Sequence, residues 1–269
     1  MNFKRIISGL IGMPIVILVF LSGNVHVVDI VVSVLTIIST YEYIHAFKST
    51  NKANPISWIC YLACIPIAFL HWIKSEYLLY GVAIFVPTAI LLLFMHIIIT
   101  ELKVTILDIA VTMFEICYIV LFFMFIPITY GLENGKFYIW YLVFISWGTD
   151  VFAYTVGRRI GKHKFSKISP NKSIEGCVAG TIGAIALSTI YTIALNKMAG
   201  FNINYFVIIG ISLLLSLVGQ IGDFSASSIK RYSGIKDFGN LIPGHGGILD
   251  IFDSFMFIAT FAYFLLLLI

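Results

Sequence analysis

Apolar runs of about 20 residues dominate the chain, and this is the length that an α-helix needs to cross the hydrocarbon core of a bilayer. Lipid cannot hydrogen-bond the backbone, so such runs predict helices, and the alternating ten-residue segments of a membrane β-barrel do not occur in the sequence. Only 11% of the 269 residues are charged and 60% are hydrophobic, unlike a typical soluble domain. The predicted fold class is all-α, a polytopic integral membrane protein with about nine transmembrane helices. The predicted spans are 5–22, 28–46, 56–73, 78–99, 105–129, 138–157, 177–196, 203–224 and 249–269.

The distribution of lysine and arginine predicts how these spans are oriented. With nine spans, 14 of the 17 Lys and Arg residues fall on the side of the N-terminus, and only Lys74, Lys136 and Lys197 fall on the other. Positive charge is retained on the cytoplasmic side. We therefore expect a multi-pass protein of the cell membrane whose N-terminus and polar loops are cytoplasmic and whose C-terminus is outside. The first run is long and lacks a small-residue cleavage site, so we interpret it as a retained helix.

Polar residues are concentrated in two predicted cytoplasmic loops, 158–176 and 225–247. The first five spans are generic apolar sequence with short connections. We therefore predict N-terminal membrane scaffold helices over 1–130 and a C-terminal catalytic membrane region over 131–269, within one integral unit. The four cysteines contain no C-x-x-C pair and are expected to pack as small apolar residues.

Three acids in the first half could have a function or a structural role. Asp108 and Glu115 are seven residues apart in the fifth span and so lie on roughly one helix face. An acid inside a membrane marks a functional site by default. Asp108 can also lie at the interface, however, and Glu115 can pair with a neighbouring helix. Glu42, at the predicted cytoplasmic end of the second span, is interpreted as an interface or packing residue.

The densest group of chemically active residues lies around the last two spans. Asp223, Ser227 and Arg231 are spaced by four, so they share a face if the helix continues, with Lys230 beside them. Asp250 and Asp253 are three apart near the start of the final span, and their carboxylates point to one side.

These residue types suit the chemistry of phosphate groups. Gly246 and Gly247 allow close approach of a backbone to a phosphate, and a helix N-terminus offers free N–H groups to an anion. Paired carboxylates hold Mg²⁺, which shares its coordination shell with substrate phosphates. Aspartates near a helix start can also be plain caps, but the combination with a basic loop and a P-G-H-G-G turn favours a functional site.

A second polar element extends from 146 to 176. Asp150 lies inside the sixth predicted span, where an acid is costly unless it is paired or faces water. Ser169, Lys172 and Ser173 follow in the basic loop and could surround a phosphate. Ordinary retention of positive loops explains the charges of this loop but not Asp150 or the order S-P-N-K-S-x-E-G.

These segments resemble a known family. The stretch S-S-I-K-R-x4-K-D-F-G-N-L-I-P-G-H-G-G-I-L-D-I-F-D, from Ser227 to Asp253, is similar to the pattern of the phosphatidate cytidylyltransferases (CDP-diacylglycerol synthases). The segments W-G-T-D-x-x-A-Y-x-x-G-R and I-S-P-N-K-S-x-E-G resemble a second block of that family. The resemblance covers roughly 138–269, and the first half matches only in hydropathy. Ile251 stands where the family usually has Arg between its two final acids, which removes a cation from the site.

The resemblance implies a Mg²⁺-dependent transfer of the cytidylyl group of CTP to phosphatidate, giving CDP-diacylglycerol and pyrophosphate. It also implies membrane lipid as surroundings, a homodimer and no nucleic-acid partner, with a second cation left open. The implied metal ligands are Asp223, Asp250 and Asp253. The implied catalytic residues are those three acids with Lys230, Arg231 and Lys236. The implied substrate-binding residues are Asp150, Ser169, Lys172, Ser173, Ser227, His245, Gly246 and Gly247.

Several alternatives stay open at the level of sequence. An ion-coupled transporter could use Asp150, Glu115 and Asp223 as a path of carboxylates. The clustering of acids at one face and the dissimilar halves argue against it. A catalytically impaired relative is supported only by Ile251. A CDP-archaeol synthase shares the C-terminal block but is shorter, and the D-G-x2-A-R start of the CDP-alcohol phosphotransferases is absent.

Overall fold

The fold is helical, as predicted, throughout the described part of the chain. The structure is a computed structural model that describes residues 17–50, 53–166, 168–242, 244 and 246–269. Within these ranges no strand forms, and extended pairing is limited to the isolated bridges Lys164–Ser173 and Ile242–Gly246. The nine helices that we number are α1 Val25–Lys48, α2 Ser57–Cys64, α3 Ser75–Ile99, α4 Ile106–Glu115, α5 Leu121–Tyr130, α6 Gly135–Ile160, α7 Ile174–Met198, α8 Tyr205–Tyr232 and α9 Ile248–Leu266.

Seven helical segments of the described chain are long and apolar enough to cross a membrane. They correspond to seven of the predicted spans, because α4 and α5 are joined by the π-helix Ile116–Val120 into one segment. The predicted span 56–73 becomes α2 and the 3₁₀-helix Ile65–Trp72, which together are shorter than a full crossing. Most of the predicted span 5–22 lies outside the described residues. The predicted count of nine is therefore not confirmed.

The chain divides into two compact units. The first comprises the described residues up to Gly131 together with Tyr232–Ile251, and the second comprises Leu132–Arg231 and Phe252–Ile269. The first unit thus contains α1 to α5 and the segment 233–247 between α8 and α9, called the glycine-rich loop. The second contains α6, α7 and nearly all of α8. The helix α9 contributes residues to both units.

Buried acids of the first unit have partners on other elements. The Asp29 carboxylate, fully buried on α1, accepts hydrogen bonds from the backbone N–H of His71 and from its ring Nδ1 at 3.1 and 2.7 Å. Glu115, also fully buried, accepts a hydrogen bond of 2.6 Å from the Thr40 hydroxyl. The acid Glu115 therefore links α1 to α4, as hydrogen-bonding side chains do between membrane helices.

Asp108 has a local structural role at the start of α4. Its carboxylate and the Thr105 side chain form a reciprocal capping box, and it also accepts a hydrogen bond from the backbone N–H of Asn54. Such a box satisfies N–H groups that the first helical turn leaves without partners. This capping role gives Asp108 a structural function at the start of α4.

In the second unit, α6 and α7 approach each other through small residues. A Cβ added at Gly180 would lie 2.7 Å from the carbonyl oxygen of Thr149 and 3.1 Å from the Ala153 Cβ. Gly148 and Gly176 make similarly close contacts with the facing helix. The repeated small residues at spacings of four are typical of tightly packed membrane helices.

Hydroxyl and amide side chains link the same helices to α8. Thr149 and Ser216 share a hydrogen bond of 2.8 Å, and the Gln220 amide donates to Thr181 at 3.0 Å. Further along, Ser188 and Ser212 lie 2.6 Å apart. These contacts fix the relative positions of α6, α7 and α8, which carry Asp150, the basic loop and Asp223.

Enlarging Gly180 is expected to destabilise the protein, because the added methyl group meets a backbone carbonyl of the facing helix. We expect Gly180→Ala to lower the free energy of unfolding by about 1–3 kcal/mol, the usual effect of overpacking. The measurement is thermal unfolding in mild detergent. Gly210→Ala is the matched control, since a Cβ there meets nothing within 4 Å. Equal melting temperatures for the two variants would contradict the close packing of α6 and α7.

Candidate active site

The basic loop between α6 and α7 is held in a hairpin-like turn. The backbone N–H of Ile174 donates to the His163 carbonyl at 2.9 Å, and that of Phe165 donates to the Lys172 carbonyl at 3.1 Å. Ser173 caps α7, since its hydroxyl accepts a hydrogen bond from the N–H of Gly176. Ser169 contributes its carbonyl, which accepts from the N–H of Lys172 at 3.1 Å. The predicted phosphate-binding residues of this loop are thus fixed in a defined turn, with Ser173 used as a cap.

Lys172 projects from this turn onto α8. Its ammonium group forms an ion pair with the carboxylate of Asp223, and each side chain remains a little over one quarter exposed. The same ammonium lies 4.4 Å from the centre of the Phe224 ring, and the ring of Phe165 stacks on that of Phe224 at a centroid distance of 4.6 Å. A cation over an aromatic face is stabilised electrostatically. The aromatic pair therefore helps to hold Lys172 beside Asp223.

Three aspartates from three helices come together around this ion pair. Asp150 of α6 interacts electrostatically with Asp223 and with Lys172. Asp253 of α9, only 6% exposed, interacts with both of those acids and with Lys172 and Lys230. The two lysines offset part of the repulsion among the three carboxylates. The structure therefore unites residues that the sequence places up to about a hundred positions apart.

A glycine of α8 makes this meeting of helices possible. A Cβ added at Gly222 would lie 2.6 Å from the backbone carbonyl oxygen of Asp253 and 2.9 Å from the Phe257 ring. The residue that precedes Asp223 must therefore lack a side chain if α9 is to bring Asp253 close. Nearby, Ser227 is buried on α8, and the Nε of Arg231 donates to the Ile168 carbonyl at 3.4 Å.

In the first unit, Asp250 ties the glycine-rich loop to the start of α9. Its Oδ2 accepts hydrogen bonds from the backbone N–H groups of Phe238 at 2.7 Å and Gly247 at 2.9 Å. Gly246 has a φ of +100°, which favours glycine, and a Cβ there would lie 2.6 Å from the same Oδ2. Lys236 is exposed on this loop. His245, a predicted substrate-binding residue, lies outside the described residues.

Glu42 of α1 also binds the start of α9. Its Oε1 and Oε2 accept hydrogen bonds from the backbone N–H groups of Ile248 and Leu249, both at 2.9 Å, and the side chain is 4% exposed. It forms part of the wall of a pocket of about 450 Å³ between the end of α1 and the segment 235–241. The sequence indicates an interface or packing role for Glu42, but not the helix that it contacts.

The predicted magnesium ligands can be compared with this geometry. Among the described residues, no group of three or more His, Cys, Asp or Glu side chains is arranged to hold a metal ion. Mg²⁺ commonly binds one or two protein carboxylates and takes its remaining ligands from water and substrate phosphates. Asp223 and Asp253 are neighbouring carboxylates of this kind. These two acids are the pair that would contribute protein ligands if a magnesium ion completed its shell with substrate.

Comparison with known proteins assigns the family. Residues 3–269 match the model of the Cytidylyltransferase family, which is nearly the whole chain. The chain belongs to this family. Its helical membrane fold and the polar segments at 146–176 and 222–254 are therefore those of a member of this family.

Several relatives in this family carry the name phosphatidate cytidylyltransferase. One from Staphylococcus aureus (strain COL) is 44% identical over 153 residues, which are 56% of each chain. One from Bacillus subtilis (strain 168) is 46% identical over 135 residues, which are 50% of this chain and 49% of the relative. One from Staphylococcus haemolyticus (strain JCSC1435) is 39% identical over 168 residues, or 62% of each chain. The chain thus matches about half to three fifths of the length of these relatives.

Several of the predicted site residues are neighbours in the structure, whereas some residues that support them were not predicted. Five predicted site residues interact electrostatically in the structure. They are the acids Asp150, Asp223 and Asp253 and the lysines Lys172 and Lys230. The aromatic support from Phe165 and Phe224 was missed, because single aromatic residues in an apolar chain give no distinctive pattern. The contact of Glu42 with α9 was also missed, because 206 residues separate Glu42 from Ile248.

Substitutions at Lys172 and Asp150 test whether the lysine offsets repulsion among the clustered aspartates. We expect Lys172→Met to lower the free energy of unfolding by about 1 kcal/mol, near the upper end for an ion pair that keeps contact with water. Adding Asp150→Asn should restore part of this loss, because it removes one of the three mutually repelling carboxylates. Thermal unfolding of the single and double variants in mild detergent measures the coupling.

Lys164→Met, on the same loop, is the control for loss of a positive charge. Strictly additive effects of Lys172→Met and Asp150→Asn would show that these side chains do not interact.

Proposed function

We propose that the chain transfers the cytidylyl group of CTP to the phosphate of phosphatidate, giving CDP-diacylglycerol and pyrophosphate. The observation that carries this proposal is the cluster of Asp150, Asp223 and Asp253 with Lys172 and Lys230, formed by four segments of one unit. The names of the relatives, phosphatidate cytidylyltransferase, support the same reaction. No observation favours the ion-coupled transporter as a second candidate.

The reaction joins two polyanions, so its main physical barrier is electrostatic. A phosphate oxygen of phosphatidate attacks the α-phosphorus of CTP, the bond from that phosphorus to the bridging oxygen breaks, and pyrophosphate leaves with the electron pair. Lys172 and Lys230 are placed to neutralise phosphate oxygens during this transfer. We assign Arg231, Lys236 and His245 to further contacts with phosphate or nucleotide, and Ser169 and Ser227 to substrate binding.

We assign Asp223 and Asp253 to a magnesium ion, with Asp250 as a further candidate ligand from the same helix as Asp253. When bound, Mg²⁺ supplies positive charge to the phosphates as they approach each other. Lys172 forms an ion pair with Asp223, so we assign this lysine to contact with a substrate phosphate beside that carboxylate. Asp250 has one oxygen engaged by two backbone N–H groups, which supports a role in holding the loop.

A general base is hardly needed in this reaction. The second pKa of a phosphate monoester is roughly 6, so the attacking phosphate is already mostly dianionic at neutral pH. This is why His245 is assigned to substrate contact instead of proton abstraction. The side chains of the site then act by binding, orientation and charge neutralisation.

The membrane setting suits the two proposed substrates. Phosphatidate lies in the bilayer, whereas CTP is dissolved in the cytosol, so the site belongs at the cytoplasmic interface. The excess of Lys and Arg in the loops at 158–176 and 225–247 supports this orientation. We also propose a homodimer in the cell membrane, with no nucleic-acid partner.

The proposal is tested by transfer of label from CTP to lipid. The purified chain in mild detergent is supplied with phosphatidate and CTP labelled in the cytosine or α-phosphate, with and without Mg²⁺. We expect Mg²⁺-dependent label in CDP-diacylglycerol. Asp253→Asn should reduce the rate at least about 100-fold, because it removes a buried charge of the cluster that we assign to the metal.

Asp237→Asn, which removes an exposed acid of the glycine-rich loop, is the matched control and should keep most of the activity. Lipid label from the unmodified chain would also show that Ile251 is compatible with turnover. Bound CTP without lipid label would point to the impaired relative or to another lipid acceptor. The absence of both CTP binding and label transfer would refute the proposed function.

A further inference from the structure

The start of α9 is held by Glu42 of α1, which is 206 residues away from Ile248 in the sequence. The first N–H groups of an α-helix have no partner within the helix, and Ile248 and Leu249 are the first two residues of α9. Both donate to the Glu42 carboxylate at 2.9 Å. We propose that Glu42 is a positioning residue for cytidylyl transfer, which fixes the first turn of the helix that carries Asp250 and Asp253. This inference rests on the proposed function.

A carboxylate is the group that suits this place. Each of its oxygens accepts from a different N–H group, and its negative charge is stabilised by the positive end of the helix dipole. Glu42 is 4% exposed, so loss of these bonds would leave a buried charge without compensation. A glutamine of the same size keeps only one acceptor oxygen and turns an NH₂ donor towards the other backbone N–H.

Two glycines of the loop make room for the Glu42 carboxylate. A Cβ added at Gly247 would lie 2.3–2.4 Å from its three carboxyl atoms, and one at Gly239 would lie 2.6 Å from Oε1. Close packing against Glu42 therefore requires glycine at 239 and 247, in addition to any close approach to a phosphate. These two glycines allow an acid of α1 to enter between the loop and the first turn of α9.

Asp250 reinforces the same arrangement from within α9. Its Oδ2 accepts from the N–H groups of Phe238 and Gly247, which flank the loop on both sides. Four backbone N–H groups in this short region are thus bound by the carboxylates of Glu42 and Asp250. The position of the first turn of α9 is set by these bonds. Asp253 is one helical turn further along.

With Glu42 as a positioning residue, α1 contributes to the reaction by holding the start of α9. The sequence presents the first half as scaffold helices, and Glu42 as a packing residue of one of them. In the structure this helix provides the acceptor that fixes the start of α9. A displacement of about 1 Å at a catalytic group can reduce turnover about a hundredfold, so the contact is expected to matter for the rate and much less for substrate affinity.

The test compares Glu42→Gln and Glu42→Asp with the unmodified chain. Turnover, the KM for CTP and thermal unfolding are measured in mild detergent, with rates expressed per folded, monodisperse protein. We expect Glu42→Gln to lower kcat about 10- to 100-fold, with the KM for CTP changed less than about threefold. Glu42→Asp keeps both acceptor oxygens and should retain more activity than Glu42→Gln, although glutamine matches the native size.

Thr36→Val is the matched control. Thr36 is fully buried on the same helix, and its hydroxyl donates only to the Val32 carbonyl of the preceding turn. We expect its kcat to equal that of the unmodified chain. Hydrogen–deuterium exchange of the peptide 246–252 gives a second readout, with faster exchange at Ile248 and Leu249 in Glu42→Gln and no change in Thr36→Val.

Three results would overturn the inference. The first is unchanged kcat in Glu42→Gln, and the second is higher activity in Glu42→Gln than in Glu42→Asp, which would indicate that Glu42 only fills space. The third is a loss of activity in Glu42→Gln that disappears when rates are expressed per folded protein. Failure of the proposed function is recognised separately, because the unmodified chain would then form no CDP-diacylglycerol, and the inference would fall with it.

Discussion

Hydrocarbon offers no hydrogen-bond partners, so a charged side chain buried within the membrane-spanning helices must find its partners in the protein itself. Three buried acids of the apolar segments illustrate this constraint. Asp29 binds His71, Glu115 binds Thr40, and Glu42 binds two backbone N–H groups. Each of these bonds joins elements that are distant in the sequence. The costly placement of acids in apolar surroundings thus also determines which helices meet.

The same constraint separates structural acids from candidate catalytic ones. Asp108 caps a helix, and one carboxylate oxygen of Glu115 is bonded to a neighbouring helix, so both acids have a structural role. Asp150, Asp223 and Asp253 differ, because three carboxylates share one neighbourhood together with Lys172 and Lys230. Such an arrangement is more costly than a simple ion pair and is typical of sites that bind cations or phosphate groups.

Glycine has two separate functions in this family member. Gly180 and Gly222 allow helices to approach until backbone and side-chain atoms touch, which brings the polar faces of the second unit together. Gly239, Gly246 and Gly247 leave space for the carboxylates of Glu42 and Asp250 instead. The glycine-rich loop thus makes room for two carboxylates at the N-terminus of α9, in addition to any contact with phosphate.

Hydrophobic length predicts the helical membrane fold and most of the spans, and the residue pattern predicts which residues form the candidate site. Hydrophobic length and the spacing of Asp223, Lys230 and Asp253 are local properties, and local properties can be read from a sequence. The sequence did not determine that 56–73 would break into two short helices, that Ser173 would cap α7, or that Glu42 would bind the start of α9. Those outcomes depend on partners up to about two hundred residues away. They become visible only in three dimensions, because hydrogen bonding and close packing between distant segments leave no periodic signal in the chain.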